Sequence, residues 1–340
     1  MDSAILPFPL SNRLAEVVGY KGQEIKSVYW GTAPTGEPHL GYLVPLLKIA
    51  DFCDSDLEVT ILIADLHALL ERNDDHDKRD DSDVISSRSA FYEYLLENIL
   101  LCLQVKNTNK VKFIRGSSFQ LHPNYTLDAL RLATKLSFKD AQRGGSEMVK
   151  NSTDPSLASL IYPGMQALDE VYLNVDAQLG GIDQRKIFML AEEFLPKIGY
   201  KPVVHMMNYM LPSINAGKPK TRNKTEIQNK MSASDKNSKI GFLDSEEELK
   251  KKIKQAFCED RNVEWNPLLL YYERICVPLA ERLDWEHESS DSVKEKFSTG
   301  EIQAQNLKDK VSEILGKFIS LTRNHLGNDE YAKLYDKCQY

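Results

Sequence analysis

Three patterns in this 340-residue chain could do chemistry. The first is "GTAPTGEPHLGY" (31–42), which sets three glycines, two prolines and a histidine between the apolar "SVYW" (27–30) and the helical "LVPLLKIADF". A strand, a Gly/Pro-rich turn and a helix make the junction at which α/β proteins hold phosphates. Gly31 and Gly36 permit close backbone approach or positive φ, and Pro38 suits the first position of a helix. His39 then falls in the first turn, where free N–H groups and the macrodipole favour an anion. Gly41 leaves room for a flat ring. On local grounds alone, a phosphate site and an ordinary turn fit equally well. The second pattern is "KMSASDKNSK" (230–239), in which Lys230, Met231, Ser232 and Ser234 could close over a polyphosphate. Taken alone, it reads as a solvated Lys/Ser loop. The third is Tyr162, Gln166 and Asp169, spaced i, i+4, i+7 so that one helix face carries all three. Pro163 is expected to start that helix. Three polar side chains aligned within a Met/Leu/Ala-rich stretch suggest a lined pocket rather than a solvated stripe.

These residues need elements to position them. The length suits two domains at ~100–200 residues each, and 42% hydrophobic with 27% charged residues is a globular balance. Apolar runs at 27–30, 58–65, 111–116, 175–181 and 202–208 alternate with helical periodicity at 43–53, 84–105, 124–142, 163–173 and 184–197. This predicts an α/β fold with a Rossmann-like parallel sheet. "VTILIA" is apolar on both faces, as a sheet covered by helices requires. After about 215 the chain turns polar and basic. At "DSEEELKKKIKQAF" a helix starts cleanly, with Ser245 as N-cap and Glu248 three residues on. A mostly helical C-terminal domain is expected from 244 to 340, with 1–228 as the first domain and 229–243 as a loop between them.

The net charge of −7 argues against wholesale nucleic-acid coating but not against a local basic patch, and 201–239 carries eight Lys/Arg against two Asp/Glu. The acidic run 71–83 reads as a solvated surface loop. Five scattered cysteines with no CxxC pair, and no HExxH, make a structural metal improbable. No apolar run is long enough to span a membrane, and the N-terminus lacks a secretory pattern, so a cytoplasmic protein is expected.

"PHLGY" and "KMSAS", in that order, resemble the two motifs of class I aminoacyl-tRNA synthetases, usually written HIGH and KMSKS. Between them "YWGTAPTGEPHLGY", "VTILIADLHA", "IYPGMQALDEVYL" and "VDAQLGGIDQRKIFMLAE" look like tyrosyl-tRNA synthetases of the eukaryotic and archaeal type, from about residue 26 to 265. The resemblance implies that tyrosine and Mg·ATP form tyrosyl-adenylate and pyrophosphate, and that the 3′-terminal adenosine of tRNA(Tyr) then takes the tyrosyl group. It implies that Tyr29 and Asp169 bind the substrate phenol, and that Tyr162, Gln166 and Gln184 hold its α-amino group. Gly31, Pro38, His39, Gly41, Gly181, Asp183, Lys230 and Met231 would meet ATP. His39, Lys230, Ser232 and Ser234 would carry catalysis. A homodimer is implied, built from the segment around 115–160.

The chain also departs from that pattern. Tyr42 stands for the second histidine of HIGH and Ala233 for the second lysine of KMSKS, which leaves Lys230 to act alone or with compensation from Lys236, Lys239 or a bound monovalent cation. The loop 213–229 is longer than usual, and its bases (Lys218, Lys220, Arg222, Lys224) could meet tRNA or belong to a plain insertion. The likeness fades after Pro278. Where relatives meet the anticodon this chain has "QAQNLKDK", which places Gln303 and Asn306 at the base-reading positions. Two rival readings are a tryptophanyl-tRNA synthetase and a non-catalytic relative that binds RNA or a partner.

Overall fold

The structure is a computed structural model that describes residues 5–71, 81–145, 156–216, 239–326 and 328–338. Six strands form one sheet in the order β1-β6-β5-β2-β3-β4. They are β1 (Leu14–Val18), β2 (Ser27–Thr32), β3 (Glu58–Ile63), β4 (Val111–Arg115), β5 (Ala177–Gly181) and β6 (Val204–Asn208). Strands β2 to β6 run parallel, and β1 adds antiparallel to β6 at one edge. All five sequence-predicted strands are present. The sequence reading missed β1, whose five residues are all half-buried and whose register slips between Leu14 and Glu16. An edge strand of that kind shows neither clean alternation nor a continuous apolar run.

Helices α1 (Leu43–Asp54), α2 (Asp65–Glu71) and α3 (Asp81–Cys102) connect β2 through β3 to β4. Between β4 and β5 lie α4 (Ser117–Gln120), α5 (Pro123–Ala133), α6 (Phe138–Gly145) and α7 (Leu157–Tyr172). The single helix expected over 124–142 is therefore two. Ser137 restarts the second by a reciprocal pair: its hydroxyl accepts from Asp140 N–H, and its own N–H donates to the Asp140 carboxylate. Helix α7 begins six residues before the expected start, so Pro163 lies seventh in it rather than first. A proline there removes one ladder hydrogen bond. The α7 backbone is held against α6, where a Cβ on Gly144 would come within 3.2 Å of the Pro163 ring. Helix α8 (Arg185–Phe194) leads from β5 to β6.

Beyond residue 239 the described chain is helical: α9 (Glu246–Gln255), α10 (Pro267–Tyr271), α11 (Val277–Arg282), α12 (Ser290–Thr299), α13 (Ala304–Leu326) and α14 (Asn328–Cys338). The expected capping box stands at the start of α9, with Ser245 Oγ accepting from Glu248 N–H and Glu248 Oε2 accepting from Ser245 N–H. Helix α13 buries Leu307, Val311, Ile314, Leu315, Phe318, Thr322 and Leu326 along one stripe at helical spacing. That stripe joins the same buried cluster as Val28, Ile61 and Met206 of the sheet. Helix α14 returns to pack on α3.

Candidate functional site

The chain leaves β2 towards β3 and β4 on one side, then comes back to lay β5 on the other. Ligands of open α/β sheets bind at the carboxyl ends of strands where the order reverses in this way. The turns after β2 and β5 sit at that point, so the 31–42 and 181–184 segments are neighbours.

After β2, His39 is extended (φ −134°, ψ 167°) and caps a short 3-10 turn, Leu40–Tyr42, that runs into α1. Its Nδ1 accepts from Gly41 N–H at 3.1 Å. Pro38 therefore lies before the cap, not at the first helical position, and His39 is the cap rather than a first-turn residue. The histidine side chain satisfies a free helical N–H, which fixes the start one residue beyond it. Neither Gly31 nor Gly36 has a positive φ. A Cβ on Gly31 would only reach ordinary contact with Leu62 and Tyr29, so close approach from the open side is what this glycine allows. Tyr42, which stands for a histidine in the motif, shares its hydroxyl with Thr32 Oγ1 (3.1 Å) and Tyr92 Oη (3.3 Å). Leu40 N–H donates to Ile240 O at 2.8 Å, and His39 bridges Gly241. The end of the basic segment is thus fastened to the turn. Lys230, Met231, Ser232 and Ser234 themselves lie outside the described residues, as do Ala233 and Lys236.

Tyr29, Tyr162, Gln166 and Asp169 are all buried side chains, so the α7 face packs inward and is not a solvated stripe. Asp169 is 1% exposed; its Oδ1 accepts from Gln120 Nε2 (2.7 Å) and Tyr125 Oη (2.9 Å). Its Oδ2 has no hydrogen-bond partner, and neither does the hydroxyl of Tyr29. Buried polar atoms left without a partner are costly, at ~1–3 kcal/mol each, and each calls for an explanation in a native fold. Burial lifts the Asp169 carboxyl to about 7, against the pull of its Gln120 and Tyr125 hydrogen bonds. Burial, then the Asp169 charge, drives the Tyr29 phenol well above its usual range, so it stays a donor. His67 packs edge-on to Tyr162 (4.5 Å, 85°), with Nε2 3.7 Å from Asp169 Oδ2. Burial lowers the imidazole to about 4, so at neutral pH this is a contact with a neutral ring and not an ion pair. Tyr162's hydroxyl meets Glu71 at the end of α2.

After β5, the glycine pair leaves space that neighbouring side chains occupy. A Cβ on Gly181 would lie 2.3 Å from Asp183 Oδ1, and one on Gly180 would lie 2.6 Å from Gln184 Oε1. Their absence lets both side chains fold back over the strand end. Gln184 Oε1 then accepts from Gln166 Nε2 at 2.9 Å, joining this turn to α7. Asp183 is buried beside it.

The sequence reading gave no role to Gln120, Tyr125, His67 or Glu71. Nothing local marks the first two: they reach Asp169 from 49 and 44 residues away. His67 sits in the quoted "ADLHA", but its contact is purely tertiary. In the helical region, Gln303 and Asn306 are exposed. Asn306 Oδ1 accepts from Gln303 N–H at 3.1 Å, so that oxygen serves the start of α13.

With this geometry in view, residues 21–320 match the family described as tRNA synthetases class I (W and Y). The chain is 48% identical over 254 residues to the cytoplasmic tyrosine--tRNA ligase of Saccharomyces cerevisiae, covering 75% of this chain and 60% of the relative. It is 38% identical over 342 residues to that of Gallus gallus, covering 96% of this chain and 61% of the relative. The chain thus spans about three fifths of the length of these relatives. The structure resembles tyrosyl-tRNA synthetase complexed with L-tyrosine from Archaeoglobus fulgidus, at TM-score 0.79 and 30% identity over 94% of this chain and 98% of that one.

Proposed function

The chain belongs to the class I tRNA synthetases of the W and Y group, and on that premise we propose that it is a tyrosine--tRNA ligase. It activates L-tyrosine with Mg·ATP and transfers the tyrosyl group to tRNA(Tyr). The observation that carries the choice of amino acid is the orphaned pair, Tyr29 Oη and Asp169 Oδ2. A phenol hydroxyl both accepts and donates, so it pairs with Tyr29 and Asp169 together. An indole N–H can only donate, which would leave Tyr29 buried and unpaired.

Each step then has named residues. Gln166, held by Gln184, and Tyr162 present oxygens towards the α-ammonium group. Gly181 and Asp183 take the ribose, and Gly31, Pro38, His39, Gly41 and Met231 form the cradle for the nucleotide. The substrate carboxylate attacks the α-phosphorus, the bond to the pyrophosphate oxygen breaks, and magnesium enters with the nucleotide as part of the substrate. The tRNA hydroxyl next attacks the adenylate carbonyl and AMP leaves. The chain contributes position and charge stabilisation, through His39, Lys230, Ser232 and Ser234. Replacing Lys230 by alanine is expected to cost about 3 kcal/mol of transition-state stabilisation, roughly a hundredfold in activation rate. A single-turnover rate near that of the parent would remove Lys230 from this role. Gln303 and Asn306 are assigned as groups facing tRNA.

ATP–pyrophosphate exchange with tyrosine, tryptophan, phenylalanine and no amino acid tests the whole reading. Exchange with tyrosine alone is expected. Exchange with tryptophan would overturn the pocket, and none at all in folded protein would leave a non-catalytic relative.

We also propose a homodimer formed around residues 115–160. Of the large apolar side chains exposed among the described residues, Leu121, Leu127, Leu130, Phe138, Leu157 and Ile161 fall within 121–161. So many exposed apolar groups in one short segment favour a covered face. Sedimentation at micromolar concentration should give twice the chain mass; a monomer would refute it.

A further inference from the structure

The nucleotide turn is held from outside the sheet by a helix more than 290 residues away in sequence. Between Thr32 and the cap at His39 the chain has no helix or strand of its own, so its shape depends on what grips it. Among the described residues, four side chains do so. Arg88 Nη1 of α3 donates to Thr35 O (3.2 Å) and Tyr92 Oη to Gly36 O (2.5 Å). Lys239 Nζ donates to Glu37 O (3.3 Å) and lies 3.5 Å from Glu37 Oε2. The fourth comes from α14: Tyr335 Oη donates to Glu37 Oε1 at 3.0 Å.

Glu37 is therefore a junction. Its carboxylate joins the turn to Lys239, at the end of the "KMSAS" segment, and to the last helix of the described chain. Both partners are largely withdrawn from water: the Glu37 side chain is 18% exposed and that of Lys239 4%. In such surroundings charge-assisted hydrogen bonds are strong and weakly screened. Helix α14 is itself well seated. Tyr331 and Tyr335 stack at 5.6 Å, and Phe91 of α3 meets each edge-on at 5.6 Å. Arg88, which grips Thr35, also donates its Nε to Cys338 O at 2.9 Å, so one guanidinium ties the turn and the end of α14 together.

Resting on the tyrosine-activating reading above, we propose that α14 is a positioning element for the nucleotide-binding turn, with Tyr335 acting through Glu37 to hold that turn in its ATP-accepting shape. Tyr335 and Glu37 touch neither the amino-acid pocket nor the reacting atoms. Their effect should fall on ATP and spare tyrosine. A helix that merely stabilised the fold would weaken both substrates alike.

The test compares Tyr335→Phe, which keeps the ring and loses the hydroxyl, with Glu37→Gln and with the double variant. In pyrophosphate exchange at saturating tyrosine, KM for ATP is expected to rise about ten- to a hundredfold in Tyr335→Phe, the size of one lost hydrogen bond to a charged group, and at least as far in Glu37→Gln, which also loses its charge contact with Lys239. It should rise no further in the double variant than in Glu37→Gln, because Tyr335 acts through Glu37. The kcat should stay within twofold, and the tyrosine dissociation constant measured without ATP should be unchanged. Amide hydrogen exchange over 33–39 in the ligand-free protein should be faster in Tyr335→Phe than in the parent. Unchanged protection over 33–39, additive effects, or ATP and tyrosine constants that move together would overturn the proposal. If the parent catalyses no exchange reaction, the functional reading fails, and amide exchange still decides whether α14 holds the turn.

Discussion

Asp169→Asn is expected to lose tyrosine activation and, at neutral pH, to be more stable than the parent. The native carboxylate offers Oδ1 to Gln120 and Tyr125 and leaves Oδ2 without a partner. An asparagine oxygen can still serve Gln120 and Tyr125, but its Nδ2 puts a donor where the substrate phenol needs an acceptor. Tyr29 already donates there, so the phenol proton would be buried unpaired. Losing a hydrogen bond to a charged group and stranding a donor together cost roughly 3–5 kcal/mol, or about 10²–10⁴-fold in kcat/KM for tyrosine. Tyr29→Phe removes only the neutral half of the pair and should cost less, about 1–2 kcal/mol. The stability change runs the other way. Burial raises the Asp169 carboxyl from the ordinary value of 3.8 to about 7. Between those limits the native state keeps a proton that the unfolded chain has released, so stability falls as pH rises through the window and stays lowered above it. Asparagine has no such term. Thermal unfolding at pH 8 should therefore favour the variant, and the advantage should fade below about pH 4. A variant that activates tyrosine normally would end the assignment of Asp169 to the phenol. An inactive variant with no gain at pH 8 would show that the ionised carboxylate carries no strain in the empty pocket.

What could be read from the sequence is what depends on neighbours in the chain. The turn at 31–42 and the α7 face are local patterns, and both fell at the predicted place. The Gly180–Gly181 pair is also local, although only the structure gives its reason, in the side chains of Gln184 and Asp183 that fold back over it. Pro38 and Pro163 were misplaced because proline's preference for the first helical position is weaker than the forces it met. At 38 the imidazole of His39 supplied the cap, and at 163 the helix had already formed and found a glycine to pack against. The break between α5 and α6 did have a sequence mark, Ser137 with Asp140 three residues on, within a periodicity that otherwise continued. The support of Asp169 could not have been read at all. Gln120, Tyr125 and His67 come from three elements that only the fold brings together. The same holds for the junction of Glu37 with Tyr335, 298 residues apart.

Replacing His205 by leucine is expected to destabilise the fold by about 3–5 kcal/mol, although His205 touches no proposed substrate group. The residue lies in β6, fully buried, with Phe188 of α8 stacked on its ring at 4.7 Å and 12°. Its Nε2 is 2.9 Å from Glu170 Oε2 on α7, and its Nδ1 is 3.3 Å from Glu192 Oε1 on α8, within ion-pair reach. One imidazolium thus ties together β6, α7 and α8. Taking away the cation leaves the Glu170 carboxylate buried and uncompensated, which is the costly way to break such a group. Leucine at 205 with glutamine at 170 should recover part of the loss, because the charge then goes too. The pH dependence carries the sign. Burial pulls the His205 pKa down, but hydrogen bonds and charge from Glu170 and Glu192 outweigh it and lift it from 6.5 to about 9. The native state then holds a proton that the unfolded chain loses above about 6.5, so this stabilisation is complete below that pH and is lost as pH rises through about 9. Chemical denaturation at pH 6.5, 8 and 9 should show the parent weakening across the series and His205→Leu changing much less. Parallel pH profiles would mean that His205 is neutral in the native state and that the three elements are held by packing alone. Loss of the cation should also reach the pocket, since Glu170 adjoins Asp169 and its charge already helps to raise that carboxyl.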